Sequence, residues 1–109
     1  MTLPQTTKII NLTPDEVIIG DRKFPTSGTI AYMATVILPI GELDGIPLVY
    51  NCLGGVENLP SAEAGTWYIV SSIVAAASVG RKDLLTPSGL VHDELGQIVG
   101  WQALSRNIP

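Results

Sequence analysis

His92-Asp93-Glu94 is the one local cluster of acid–base groups in the sequence. An imidazole beside two carboxylates suits general acid–base chemistry or half of a metal site. The three residues fall at a predicted hairpin tip, where neighbouring strand residues point to opposite faces, and a metal needs three or four convergent ligands. A solvated turn is the simpler expectation. Cys52 is the single cysteine. One thiol excludes an intrachain disulfide framework and a multi-cysteine zinc site, and suits a reducing compartment. It lies in the apolar run Pro47-Leu48-Val49-Tyr50-Asn51-Cys52-Leu53, which reads as a small core side chain. Ser27 has no evident base, and no nucleophile elbow, zinc-protease motif, Walker loop or dinucleotide fingerprint is present. No catalytic residue, metal or cofactor is expected.

Anion binding has more to draw on. Ser71-Ser72 stands where a strand meets a predicted helix. A helix N-terminus offers N–H groups and serine hydroxyls add donors, although ordinary capping uses the same residues. Arg81-Lys82-Asp83 follows the helix, where basic side chains complement its C-terminus and Arg81 can pair with Asp83. Serving one ligand from both ends of so short a helix requires a molecule on the order of 10 Å long, or two chains meeting. Trp67, Tyr68 and Trp101 supply faces for stacking. Asn11 and Thr13 are polar where a strand ends, placed equally for a ligand or for their own backbone. The candidate ligand-binding set is Asn11, Thr13, Tyr68, Ser71, Ser72 and Arg81.

The charge balance narrows the partner. Six basic residues face ten acidic ones, for a net charge of −4 and a pI near 4.6. The basic residues come as two pairs and two singles, so the clustered cations that a duplex backbone demands are missing. A small phosphorylated, nucleotide-like ligand remains compatible.

The elements that must carry these residues follow from the pattern. A chain of 109 residues, 46% hydrophobic, is expected to form a single β-rich domain over 1–109 with a loose leader at 1–6. Lys8–Leu12 is a predicted strand closed by Thr13-Pro14-Asp15. Val17–Ile19 and Arg22–Phe24 flank Gly20-Asp21, which suits a type II′ turn. Thr29–Leu38 is β-rich and is expected to break at Pro39-Ile40-Gly41. Asp44-Gly45 is a hairpin signal leading into Ile46–Leu53, with a loop through Gly54-Gly55 and on to Gly65. Thr66–Val70, aromatic and β-branched, is the expected central strand. Ser72 to Gly80 reads as a short helix, with a capping serine and a terminal glycine. Residues 81–89 are expected as an ordered loop. Leu90–Asp93 and Gln97–Leu104 close a hairpin over Glu94-Leu95-Gly96. The predicted class is α+β, mostly antiparallel β with one short helix after a central strand.

Taken together, Ile10-Asn11-Leu12-Thr13-Pro14, Pro25-Thr26-Ser27-Gly28, Gly45-Ile46-Pro47, Leu59-Pro60, Gly65-Thr66-Trp67-Tyr68-Ile69-Val70-Ser71, Arg81-Lys82-Asp83-Leu84-Leu85 with Pro87, and Asp93-Glu94-Leu95-Gly96 resemble a family of small, uncharacterised phage- and prophage-encoded proteins. The resemblance spans about residues 9–104. Similar sequences often carry His where this chain has Asp15, Arg in place of Tyr32-Met33, and a basic residue near His92, so this chain has less positive charge. The resemblance implies a viral or mobile-element setting. In that setting the expectation is a non-enzymatic accessory protein that binds and sequesters a nucleotide-derived host defence signal. The alternative is a protein–protein inhibitor of a host defence component, or a structural accessory. A homo-oligomer is expected, since several short apolar strands leave edges to cover. The first residues lack a basic segment followed by an apolar stretch, and the longest apolar run, Trp67–Gly80, is too short to span a bilayer. The expected address is the cytoplasm, with no membrane partner.

Overall fold

The computed structural model describes residues 7–106. The leader expected at 1–6 lies outside the described residues. The protein is mostly β, with one short helix among the described residues. Strands β1 (Lys8–Asn11), β2 (Val17–Ile19), β3 (Arg22–Phe24), β6 (Thr66–Ile69), β7 (Leu84–His92) and β8 (Ile98–Arg106) form a six-stranded sheet in the order β1-β6-β7-β8-β2-β3. Strands β4 (Tyr32–Leu43) and β5 (Ile46–Glu57) form a separate two-stranded ribbon.

The antiparallel arrangement expected holds in part, for the six-stranded sheet is mixed. The hairpins β2–β3 and β7–β8 are antiparallel, but β1–β6, β6–β7 and β2–β8 run parallel. The cause lies in helix α1 (Ser72–Ala77), which carries the chain from β6 back to the start of β7, and a crossover of this kind joins parallel neighbours. The sheet also curls. Its outer strands β1 and β3 approach each other at Asn11, which bridges to Thr26 and accepts the Ser27 N–H at 3.1 Å.

Strand β6 is buried on both faces. Tyr68 and Val70 pack with Leu12, Ala31, Val74, Ala75 and Leu84 beneath the helix. Ile69 faces the inside of the curl with Val17 and Leu85, lined further by Phe24, Trp67, Trp101 and Leu104. A strand enclosed on both sides reads as a continuous apolar run, and Thr66–Val70 has that composition.

Six residues of helix cannot persist alone in water. Helix α1 persists because Val74 and Ala75 are buried against the sheet and Ser71 caps its start, accepting the Val74 N–H at 3.4 Å. The helix stops at Ala77 rather than near Gly80. Ser78 explains this: its N–H turns to the Ala75 carbonyl and its hydroxyl donates to the Val74 carbonyl at 2.7 Å, a local bond that competes with helix continuation.

Other boundaries also shift. Residues 84–89, expected in a loop, belong to β7, because Leu84 and Leu85 complete the two cores and pair with Tyr68 and Ile69. Pro87 is tolerated there because β6 has already ended, leaving β7 an open edge on that side. The break expected at Pro39-Ile40-Gly41 is absorbed by a bulge between Pro39 and Gly41, and Gly54-Gly55 continues β5 instead of forming a loop. The turn chemistry is as read. Asp44 and Gly45 take φ of 54° and 82°, and Gly20 takes 60°, the angles that I′ and II′ turns require. Among the described residues, no helix is long and apolar enough to cross a membrane.

Candidate functional site

An open cleft of about 450 Å³ lies where the start of β6, the turn after α1 and the end of β8 meet. Its functional side chains are Glu63, Trp67, Arg81, Lys82, Asp83 and Arg106. Three of the six basic residues in the chain therefore line one cleft, against two carboxylates. Trp67 forms its aromatic wall. One side of the indole packs on the core of the curled sheet, and the Arg106 guanidinium lies over the ring, 5.1 Å from its centroid. Arg106 also donates to the Lys82 carbonyl at 3.1 Å, which ties the end of β8 to the loop before β7.

Arg81 is held in place by Asp83. Its Nε and Nη2 donate to the two carboxylate oxygens at 2.9 and 2.8 Å, and both side chains are largely covered. This hydrogen bonding, opposed by burial and aided by the Asp83 charge, raises the Arg81 pKa; the same bonding, again opposed by burial, holds the Asp83 carboxyl below the usual aspartate range. Two of the five guanidinium N–H groups are engaged by the carboxylate, so the remaining edge is the one that can meet an anion.

The residues expected to bind a ligand are dispersed. Arg81 alone lines the cleft. Tyr68 is 3% exposed and belongs to the core beneath the helix. Ser71 caps the helix and Ser72 is exposed in its first turn; neither lines the cleft. Asn11 and Thr13 are brought together, but by their own chain. The Asn11 amide donates to the carbonyls of Asp15 and Phe24 at 2.8 and 2.9 Å. Its oxygen accepts the Thr13 N–H and hydroxyl at 2.9 and 2.6 Å. Asn11 is 2% exposed, and its role is to fasten the turn after β1 to the end of β3. In the acid–base cluster, Asp93 Oδ1 accepts the Leu95 and Gln97 N–H groups, which makes it a turn residue.

Trp67, Lys82 and Arg106 were absent from the predicted ligand-binding set. Trp67 and Lys82 carried a signal, an aromatic and a cation beside residues already singled out. Arg106 carried none, since it arrives through the pairing of Leu85 with Arg106 across a ladder whose register shifts near its far end.

No family model matches the chain, and no curated protein or solved structure shows significant similarity to it.

Proposed function

We propose that the chain is a non-enzymatic binding protein, of the phage-encoded kind its sequence resembles, that holds and sequesters a small phosphorylated, nucleotide-like ligand in the Trp67 cleft. One observation carries this: a protein with a net charge of −4 gathers half of its basic residues around one indole. Arg106 gives its place on the indole to the base of the ligand and turns to the phosphate. The exchange is favourable in magnitude. An exposed cation–π contact contributes about 0.5–1 kcal/mol. A stacked base contributes ~1–3 kcal/mol, and a charged hydrogen bond about 1.5–3 kcal/mol. Lys82 adds a point charge, and Arg81, fixed by Asp83, adds N–H donors without having to be ordered on binding.

Isothermal titration against cyclic dinucleotides, cyclic ADP-ribose isomers and NAD tests the proposal. Binding of at least one at micromolar affinity, with Trp67 fluorescence changing in step, is the expected result. Absence of heat and of fluorescence change with every one of them favours the alternative of a protein-binding accessory.

A further inference from the structure

The β4–β5 ribbon extends from the body with little to support it. At its base Val56 packs on the core beneath the helix. Further out, large apolar side chains stand exposed, among them Leu43 and Ile46 at 63% and Tyr50 at 62%. A two-stranded hairpin is marginal by itself in water.

The register sorts these side chains. The pairs Val36–Cys52, Leu38–Tyr50, Gly41–Leu48 and Leu43–Ile46 share one face, with the bulge at Ile40 preserving the alternation. That face is apolar along its length. The pairs Thr35–Leu53, Ile37–Asn51, Pro39–Val49 and Glu42–Pro47 lie on the other, where Thr35, Asn51 and Glu42 interrupt the apolar surface. We infer that the first face, centred on Leu38 and Tyr50, is an assembly surface covered by the same face of a second copy of this chain.

Two observations and one general argument select a second copy. The first is area. The chain exposes 7823 Å², whereas a globular monomer of 11.5 kDa exposes about 5,800 Å² by size scaling. The excess, roughly 2,000 Å² over the whole chain, is larger than the ~800 Å² that each partner contributes to a standard-size interface. The radius of gyration agrees, 17.5 Å against about 13 Å for a compact chain of this length. The second is charge. No Lys or Arg occurs between Lys23 and Arg81, so the ribbon presents no cationic pattern to select a foreign partner. Its acidic residues near the turn are Glu42 and Asp44, and an antiparallel two-fold packing keeps the two acidic tips apart by up to about 40 Å, the length of a twelve-residue strand. The third is supply. A surface of this size is exposed on every chain made, and another copy is the partner always present in equal amount.

The test is mass in solution. Light scattering of the full chain at micromolar concentration is expected to give at least twice 11.5 kDa. The double variant Leu38→Lys/Tyr50→Lys places two cations on the face and is expected to give the single-chain mass, with the fluorescence of Trp67 and Trp101 in the body unchanged. Thr35→Lys, on the opposite face, is expected to keep the wild-type mass. A monomeric wild type overturns the inference, and so does a folded double variant that still assembles. A Thr35→Lys chain that falls apart overturns the choice of face. If the double variant does not fold, the wild-type mass alone decides. None of these outcomes depends on the Trp67 cleft or on its ligand.

Discussion

Arg106 rests on the Trp67 indole, 5.1 Å from the ring centroid, while its Nη2 reaches the Lys82 carbonyl at 3.1 Å. One side chain thus covers a face of the indole and joins β8 to the segment that carries two further cations. Arg106→Ala uncovers the indole and removes one charge together. If the cleft takes a phosphorylated ligand, affinity is expected to fall at least tenfold by calorimetry, the loss of one charged hydrogen bond. Arg106→Lys keeps the charge but not the planar stack and is expected to recover part of that loss. An unchanged affinity in Arg106→Ala places any ligand elsewhere.

The Arg81–Asp83 pair predicts a pH dependence of stability. The folded-state pKa of Asp83 is depressed, so its contribution is present above the ordinary aspartate value and is lost as pH falls through the lower, folded one. The gap in Tm between wild type and Asp83→Asn is expected to be constant from about pH 5 to pH 9 and to narrow below about pH 4. Arg81→Ala uncovers a largely buried carboxylate and is expected to lower Tm at neutral pH, with the gap closing at acid pH in the same way. Thermal melts across the acid range check both. A gap that grows on acidification contradicts the assignment.

Asp83→Asn has a second consequence. It removes a negative charge from the cleft and releases the Nε–Nη2 edge of Arg81. An anionic ligand bound there is expected to gain affinity several-fold even though the protein is less stable. Calorimetry beside thermal melts separates the two effects, and a loss of affinity shows that Arg81 acts only when held by its carboxylate.

Asn11 is predicted to be a stability residue. Asn11→Ala leaves the carbonyls of Asp15 and Phe24 and the Thr13 N–H without their partner. Stranding such groups costs about 3 kcal/mol in all, roughly a 10 °C fall in Tm for a chain of this length. Ligand affinity measured well below the melt is expected to be unchanged.

Gly100 tests the seam between β8 and β2. A Cβ built there meets the Ile18 carbonyl oxygen at 2.8 Å, a contact with backbone that no rotamer change relieves. Gly100→Ala is expected to cost ~1–3 kcal/mol, read as a lower denaturation midpoint with the same slope. A neutral result shows that the seam is loose.

What the sequence disclosed was local. Ser71 capping a helix, Asp44-Gly45 and Gly20 turning hairpins, and Thr66–Val70 as an enclosed strand all depend on a few adjacent residues. The parallel pairing of Lys8 with Thr66 depends on partners far apart in the chain, and no periodicity announces it. The same division holds at the cleft. Trp67 and Arg81 lie within one segment, whereas Arg106 joins them only because β7 and β8 align Leu85 with it. Asn11 was legible as polar at a strand end. Its four hydrogen bonds were not, because they hold one particular turn and one of them reaches the Phe24 carbonyl, whose position the fold decides.

Among the described strands β1 is made before the others, and it finds its ladder partner, β6, after the whole β4–β5 ribbon has been made. The six-stranded sheet therefore cannot close until late, and its nucleus must bring together segments distant in the chain, a topology that folds slowly. The ribbon, whose pairing is local, forms early by contrast. For that interval the nascent chain carries a finished apolar hairpin beside an unfinished body, the kind of species that associates wrongly when concentrated. Yield on refolding is accordingly set by chain concentration and time rather than by final stability.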